Sequence, residues 1–294
     1  MLRLGRAPAK LNLALELTGR RADGYHELAA VSQTVDWSDV IALEGGGPID
    51  RSTPAVPELQ VWGPEAHRVP LGQDNLAVRA AILLRASRLG PPITRLALEK
   101  RIPTQSGLGG GSADAAAVLR LAGGGLDRLQ LETIALECGA DVPFSLIGGA
   151  CHLSGIGEVI SPLPSLNSGA FLIVVLGSVA TADAYAATEP RDFSDGARVE
   201  RLAAVLRRGC PPDAELFGSG LHSAAVRAVP ELALLLRELS AASPGVAWAM
   251  TGSGGAFFSY QPDGPAAARL ARQVAPACPG AGIRVALPLA AETA

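Results

Sequence analysis

Lysine, cysteine and aromatic side chains are all scarce in this chain. Only Lys10 and Lys100 are lysines among 25 lysines and arginines, and the net charge of −3 has no basic tail or arginine-dense block behind it. A general nucleic-acid or anionic-membrane surface therefore gets little support. The four cysteines, Cys138, Cys151, Cys210 and Cys278, stand far apart, with no CxxC pair and no neighbouring His at metal-ligand spacing. They read as free thiols of a reducing cytoplasm, and His67, His152 and His222 add no ligand pattern. No long apolar run is present either. The longest, near AFLIVVLG at 170–177, falls far short of the roughly 20 residues of a membrane span. It reads as a buried strand. The N-terminal segment MLRLGRAPAKLNLALEL lacks an uninterrupted apolar stretch, so no export signal is expected.

What is abundant is Ala and Gly. A hydrophobic share of 48% over 294 residues describes an ordinary globular protein with room for two domains. Period-two alternation predicts strands in LRLGR, at 10–17, 40–44, 58–62 and 95–100. The segment 74–90 predicts a helix opening on Asp74 and stopping at Gly90, and 112–122 predicts a second, started by Ser112 or the glycines before it, with Asp114 in its first turn. A third is expected at 131–138, then short strands around ACHLS and GEVIS. The Pro-rich stretch 161–169 reads as a crossing between a domain at 1–160 and another at 161–294. The second half predicts a strand at 171–176 and helices near 181–188, 197–208, 219–228 and 230–242. Strand 246–251, a GSGG turn, strand 256–260, helix 264–275 and strand 282–287 follow. That order, β-α-β-β-α-β with inserted helices, matches a split βαβ plan.

The segment richest in chemistry is Pro103-Thr104-Gln105-Ser106-Gly107-Leu108-Gly109-Gly110-Gly111-Ser112-Ala113-Asp114-Ala115, between a predicted strand and a predicted helix. Its glycines let backbone approach a ligand without a Cβ in the way. A helix N-terminus offers free N–H groups and a positive dipole end, and phosphate is the anion that suits it. The dinucleotide motif GxGxxG fails because Ser112 stands where Gly is needed, and GxxxxGK[ST] fails for want of a Lys. A flexible glycine linker would not abut a strongly helical Ala-rich segment.

Lys10 and Lys100 stand where arginine fills almost every other cationic position, which suggests a need for a compact ammonium. Asp141, in Cys138-Gly139-Ala140-Asp141-Val142-Pro143, occupies a break read as lying between a helix and a strand. A rigid carboxylate there serves as a general base or a Mg²⁺-linked group, or merely caps a turn. Gly252-Ser253-Gly254 reads as a hairpin turn, and Asp23-Gly24-Tyr25-His26 as a turn presenting an aromatic ring and an imidazole, either incidental or fit for a planar base.

Together, Pro8-Ala9-Lys10-Leu11-Asn12-Leu13, PTQSGLGGGSADAA at 103–116, GADVPF at 139–144 and TGSGGAFF at 251–258 resemble the GHMP kinase superfamily. PAKLNLALELTGRRADGYHEL at 8–28, with QDNLAVRAA and EKRIP, is similar to its branch acting on a cytidine-diphosphate-linked methylerythritol in the non-mevalonate isoprenoid pathway. The resemblance implies a two-domain α/β (α+β) fold, with an N-terminal ATP-binding domain holding a left-handed βαβ unit and a C-terminal ferredoxin-like domain. It implies ATP as co-substrate with Mg²⁺ accompanying it and no metal site of the protein's own. Lys10 and Asp141 would be catalytic, with Asn12, Tyr25, His26, Thr181 and Tyr185 on the substrate. Asn75, Lys100, Pro103, Gly107, Leu108, Gly109, Gly110, Gly111, Ser112 and Ala113 would hold ATP, and Gly252, Ser253 and Gly254 would form the third motif loop. A cytoplasmic monomer or weak homodimer handling small molecules is expected, with no nucleic-acid or membrane partner. Thr104-Gln105-Ser106 departs from a more glycine-rich entry seen in many members, position 185 is often Phe, and 189–215 has little to match. The alternatives are a homoserine- or mevalonate-type kinase on the same fold, or a nucleotide-binding protein without catalysis.

Overall fold

Ala7, Ala9, Leu11, Leu13, Leu15 and Leu17 alternate onto one face of the first segment and are all buried, and the segment runs as one strand rather than two. This strand, β1 (Leu2–Arg20), lies beside β2 (His26–Gly45) across a turn at Asp23-Gly24. The computed structural model describes residues 1–46, 54–87 and 91–291. Two units divide the chain. The first comprises Met1–Ala9, Trp37–Thr104 and Gly109–Ile147, and the second Lys10–Asp36, Gln105–Leu108 and Gly148–Ala294. Both long strands thus contribute residues to both units.

In the first unit, β3 (Glu58–Trp62), α1 (Leu76–Ser87) and β4 (Ile93–Glu99) form a βαβ element whose strands pair in parallel, Glu58 against Arg95 through Trp62 against Glu99. β4 runs antiparallel to Val40–Gly45 of β2. α2 (Gly110–Ala122), α3 (Arg128–Cys138) and α4 (Val142–Ile147) follow. Ile41, Leu43, Leu96 and Leu98 from the strands share a core with Val78, Ala81 and Leu84 of α1 and the alanines of α2. Alanine on these faces lets the helices pack closely.

Several expectations are corrected here. Asn75 rather than Asp74 opens α1, its Oδ1 accepting from the N–H groups of Ala77 at 2.9 Å and Val78 at 3.4 Å, because it stands closer to the first turn. The expected stop at Gly90 lies outside the described residues. α2 begins at Gly110, so Asp114 falls beyond its first turn. Asp141 precedes a helix, not a strand, since Pro143 sits near the start of α4 where a missing N–H costs nothing. α3 opens on a reciprocal pair: Asp127 accepts from Gln130 N–H at 2.9 Å, and the Gln130 side chain accepts from Asp127 N–H at 3.0 Å.

In the second unit, β5 (Ala150–Ser154) pairs with β6 (Val159–Leu163) and with Ala30–Gln33 of β2. β7 (Ala170–Val175) is buried along its whole length, as an apolar run predicts. α5 (Thr181–Ala186) and α6 (Ala197–Arg207) precede β8 (Gly218–Ser219), which pairs with Ala14 and Leu15 of β1. That pairing delays α7 to His222–Ala228. α8 (Glu231–Ala242), a short β9 (Ala249–Met250), β10 (Ala256–Gln261), α9 (Gly264–Val274) and β11 (Gly282–Ala286) complete the chain. The sheet order β11-β7-β10-β9, antiparallel throughout, is the split βαβ arrangement expected. The mixed α/β class read from the sequence is the one observed.

Candidate active site

The glycine loop leaves β4 and ends in α2. Gly109 caps α2 in the left-handed region at φ 70° with no side-chain cap, and the first N–H to close a helical bond is that of Ala113, onto Gly109 O at 2.9 Å. The N–H groups before it have no acceptor inside the helix. Gly107 is held at φ 81°, and a Cβ there would stand 2.3 Å from the carbonyl oxygen of Thr251. Gln105 is the one non-glycine residue at positive φ among the described residues, at 53°. It sits in the stretch where the sequence is poorer in glycine than expected. Its carbonyl accepts from Val179 N–H at 2.9 Å, and Ser106 O accepts from Ala256 N–H at 3.0 Å, which holds the unusual conformation in place.

Within the second unit, Lys10 and Asn12 alternate along β1 and so share a face. Both are buried, at 6% and 4% exposure. Lys10 Nζ donates to Asn12 Oδ1, and Asn12 Nδ2 donates to Ser32 Oγ at 2.8 Å. Asn12 N–H donates to Thr251 Oγ1 at 2.8 Å, and Lys10 N–H to Leu108 O at 3.0 Å. Gly252, at φ 58°, leaves a space that a Cβ would fill 3.1 Å from Asn12 Oδ1, and its carbonyl accepts from Ser219 Oγ at 2.7 Å. Lys10, Asn12, Leu108 and Gly252 are thus brought together. Ser32, Ser219 and Thr251 join them unannounced, because no spacing rule links residues so far apart in sequence.

His26 lies against two rings, Tyr185 with centroids 5.2 Å apart at 42° and Phe193 at 5.9 Å, nearly parallel at 16°. Its Nε2 shares a hydrogen bond of 2.9 Å with Thr188 Oγ1. Burial, and then the charge of Arg20, lowers its pKa, which favours neutral imidazole. Phe193 and Thr188 come from turns around 188–193 that gave no sequence signal. Tyr25 is exposed at 59% and has no ring contact among the described residues. Thr181 Oγ1 instead meets Ser253 Oγ at 3.1 Å.

Lys100, in the first unit, is buried with its Nζ 2.5 Å from Asp39 Oδ2 and 2.7 Å from Asp114 Oδ2. Burial alone disfavours its charge, yet the two carboxylates hold its pKa above the ordinary value. Asp114 is pushed up to about 8, chiefly by burial. The Asp141 carbonyl accepts from Ser145 N–H at 3.1 Å and from Ser145 Oγ at 3.0 Å. Lys10 therefore belongs to the second unit, and Asp141, Asn75, Lys100, Pro103 and Gly109–Ala113 to the first.

The family model described as "GHMP kinases N terminal domain" matches residues 75–149, the span from α1 through the glycine loop to α4. A 4-diphosphocytidyl-2-C-methyl-D-erythritol kinase of Polaromonas sp. is 38% identical over 266 residues, covering 87% of this chain and 82% of that protein. The chain belongs to the 4-diphosphocytidyl-2-C-methyl-D-erythritol kinase family of GHMP kinases. A crystal structure of a 4-(cytidine 5'-diphospho)-2C-methyl-D-erythritol kinase agrees, with a TM-score of 0.74 at 35% identity over 97% of this chain and 99% of that one. A homoserine kinase from Cytophaga hutchinsonii shares the fold at 18% identity, covering 99% of this chain and 95% of that one with a TM-score of 0.69.

Proposed function

We propose that the chain phosphorylates the 2-hydroxyl of 4-diphosphocytidyl-2-C-methyl-D-erythritol with ATP, yielding ADP and the 2-phosphate for isoprenoid precursor synthesis. The observation that carries the substrate assignment is the placement of His26 against Tyr185 and Phe193, a surround for a planar base that a homoserine or mevalonate site has no need of. The uncapped start of α2 supports binding of the ATP phosphates. In this reading the 2-hydroxyl oxygen attacks the γ-phosphorus, its proton passes to the Asp141 carboxylate, and ADP departs as the bond to the β-phosphate oxygen breaks. Lys10, fixed by Asn12, stabilises the negative charge that develops during transfer. Asn12 and Thr181 orient the alcohol, Tyr25 covers the base from an exposed turn, and Gly252, Ser253 and Gly254 bring backbone close to it.

Asn75, Lys100 and Pro103 flank the adenosine, while Gly107, Leu108, Gly109, Gly110, Gly111, Ser112 and Ala113 cradle the phosphates. Mg²⁺ bound with ATP would screen the charge of the phosphates. The four cysteines are free and suit a reducing cytoplasm. We read the protein as a monomer or weak homodimer whose partners are these two small molecules rather than nucleic acid or membrane. ADP release measured against the cytidylated alcohol, homoserine and mevalonate tests the assignment. Turnover confined to the first supports it, and turnover of homoserine or mevalonate alone replaces it by another kinase of the superfamily. ATP binding without turnover of any of the three identifies a non-catalytic protein.

A further inference from the structure

The buried ion group Asp39–Lys100–Asp114 clamps both flanks of the glycine loop. At the loop's entry, Asp39 Oδ1 accepts from the backbone N–H groups of Arg101 at 2.6 Å and Ile102 at 2.8 Å, the two residues before Pro103. Its other oxygen, Oδ2, binds Lys100 Nζ, which in turn binds Asp114 in α2, the helix that the loop opens into. The side chains of all three are nearly inaccessible, at 0% for Asp39, 3% for Lys100 and 4% for Asp114. At the loop's exit the ammonium packs against backbone, since a Cβ on Gly110 would stand 2.9 Å from Lys100 Nζ and 3.0 Å from Ile102 Cγ2.

We propose that Asp39, Lys100 and Asp114 are positioning residues for the ATP phosphate loop, tying the end of β4 to the first turns of α2 so that the loop amides are held ready for the phosphates. Such a group is an expensive way to stabilise a fold, because ions taken out of water lose hydration that their pairing often does no more than offset. An apolar cluster of the same volume would serve stability better, whereas fixed charge-assisted bonds give directional rigidity. Two further details fit a positioning role. Asp114 Oδ1 is buried without a hydrogen-bond partner, so the group is not optimised for stability. Burial also lifts the Asp114 pKa to about 8, which lets one retained proton balance two carboxyls against a single ammonium. Preorganised amides bind phosphate without first losing loop entropy, so loosening the clamp weakens ATP and leaves the alcohol alone.

The proposal rests on the kinase reading, and its test keeps the two separable. A non-hydrolysable ATP analogue is titrated calorimetrically into the parent and into Asp39→Asn and Asp114→Asn, alongside melting curves and the KM of the cytidylated alcohol at saturating ATP. Asp39→Asn turns an amide N–H₂ or a weaker acceptor toward two backbone donors and an ammonium, and its analogue Kd rises about ten- to a hundred-fold. Asp114→Asn, whose carboxyl has one unpartnered oxygen, raises the Kd only a few-fold. The alcohol KM stays within about twofold in each. A folded Asp39→Asn that binds the analogue as the parent does, with only its melting temperature lowered, overturns the proposal and leaves a purely structural ion group. If Asp39→Asn does not fold, Asp114→Asn decides by the same comparison: a few-fold weaker analogue binding supports the clamp and parent-like binding overturns it. A parent that binds the analogue but does not phosphorylate the alcohol sinks the kinase reading, while the Kd comparison still decides the clamp.

Discussion

Lys10 donates from a compact ammonium into a narrow buried setting beside Asn12, and that shape is what an arginine cannot reproduce. Lys10→Arg keeps the charge but replaces a point by a planar fork. Its kcat falls about ten- to a hundred-fold, the worth of one hydrogen bond to a charged group, in a coupled ADP assay under saturating substrates. Parent-like turnover reduces Lys10 to a diffuse field. Asp141→Asn, which leaves the turn before α4 and its carbonyl bonds to Ser145 intact, keeps ATP binding and loses roughly 10²- to 10⁴-fold in turnover. Near-normal turnover removes it from the mechanism. Both residues were visible from type and surroundings in the chain: one of two lysines, and an acid between Gly139 and Pro143. Asp39 was not. An aspartate just ahead of the strand expected at 40–44 looks like any strand-end carboxylate until the fold sets it against Lys100.

At the scale of elements, the strand–loop–helix order around 103–122 was legible because glycine freedom and alanine propensity act locally. So were the four strands and flanking helices of the C-terminal sheet, apart from their ends. The surround of His26 was legible only in part. Tyr185 came with the family resemblance, but Phe193 and Thr188 sit in short turns after α5 where no periodicity operates. If these rings border the cytosine, removing one costs on the order of 1 to 3 kcal/mol of base stacking. Tyr185→Ala and Phe193→Ala each raise the KM of the cytidylated substrate by roughly 5- to 150-fold, while Tyr185→Phe keeps most of the affinity and ATP binding barely changes. His26→Ala narrows the preference for the cytidylated over the uridylated alcohol, since an edge contact discriminates more than stacking does. KM values for both alcohols under saturating ATP check this, and constants untouched by all three alanine variants place the base elsewhere.

Over the whole molecule, the ion group links stability to pH. The Asp114 carboxyl has an ordinary pKa of 3.8 when unfolded and about 8 in the fold, so between those values the folded chain holds a proton that the unfolded chain releases. Its stabilisation is complete below the unfolded pKa and is lost as pH rises through the folded one. Lys100, also raised, surrenders its share only above the ordinary lysine range. Denaturant midpoints therefore fall between pH 5 and 8.5 in the parent, and fall less in Asp114→Asn; equal slopes remove the buried proton from the account. What the sequence determined by itself was local: the alternation of the strands, the Ala-rich helices, the glycine loop poised at a helix start, and the motif order that points to a kinase. The first three follow from neighbours within a few residues, where backbone sterics and propensity act, and the last from resemblance to a family. Tertiary structure alone decided that β1 and β2 each pass through both units, that Thr251 meets Asn12, and that Asp39 reaches Lys100. Contacts between residues dozens to hundreds of positions apart depend on burial and pairing, to which the chain's local chemistry carries no address.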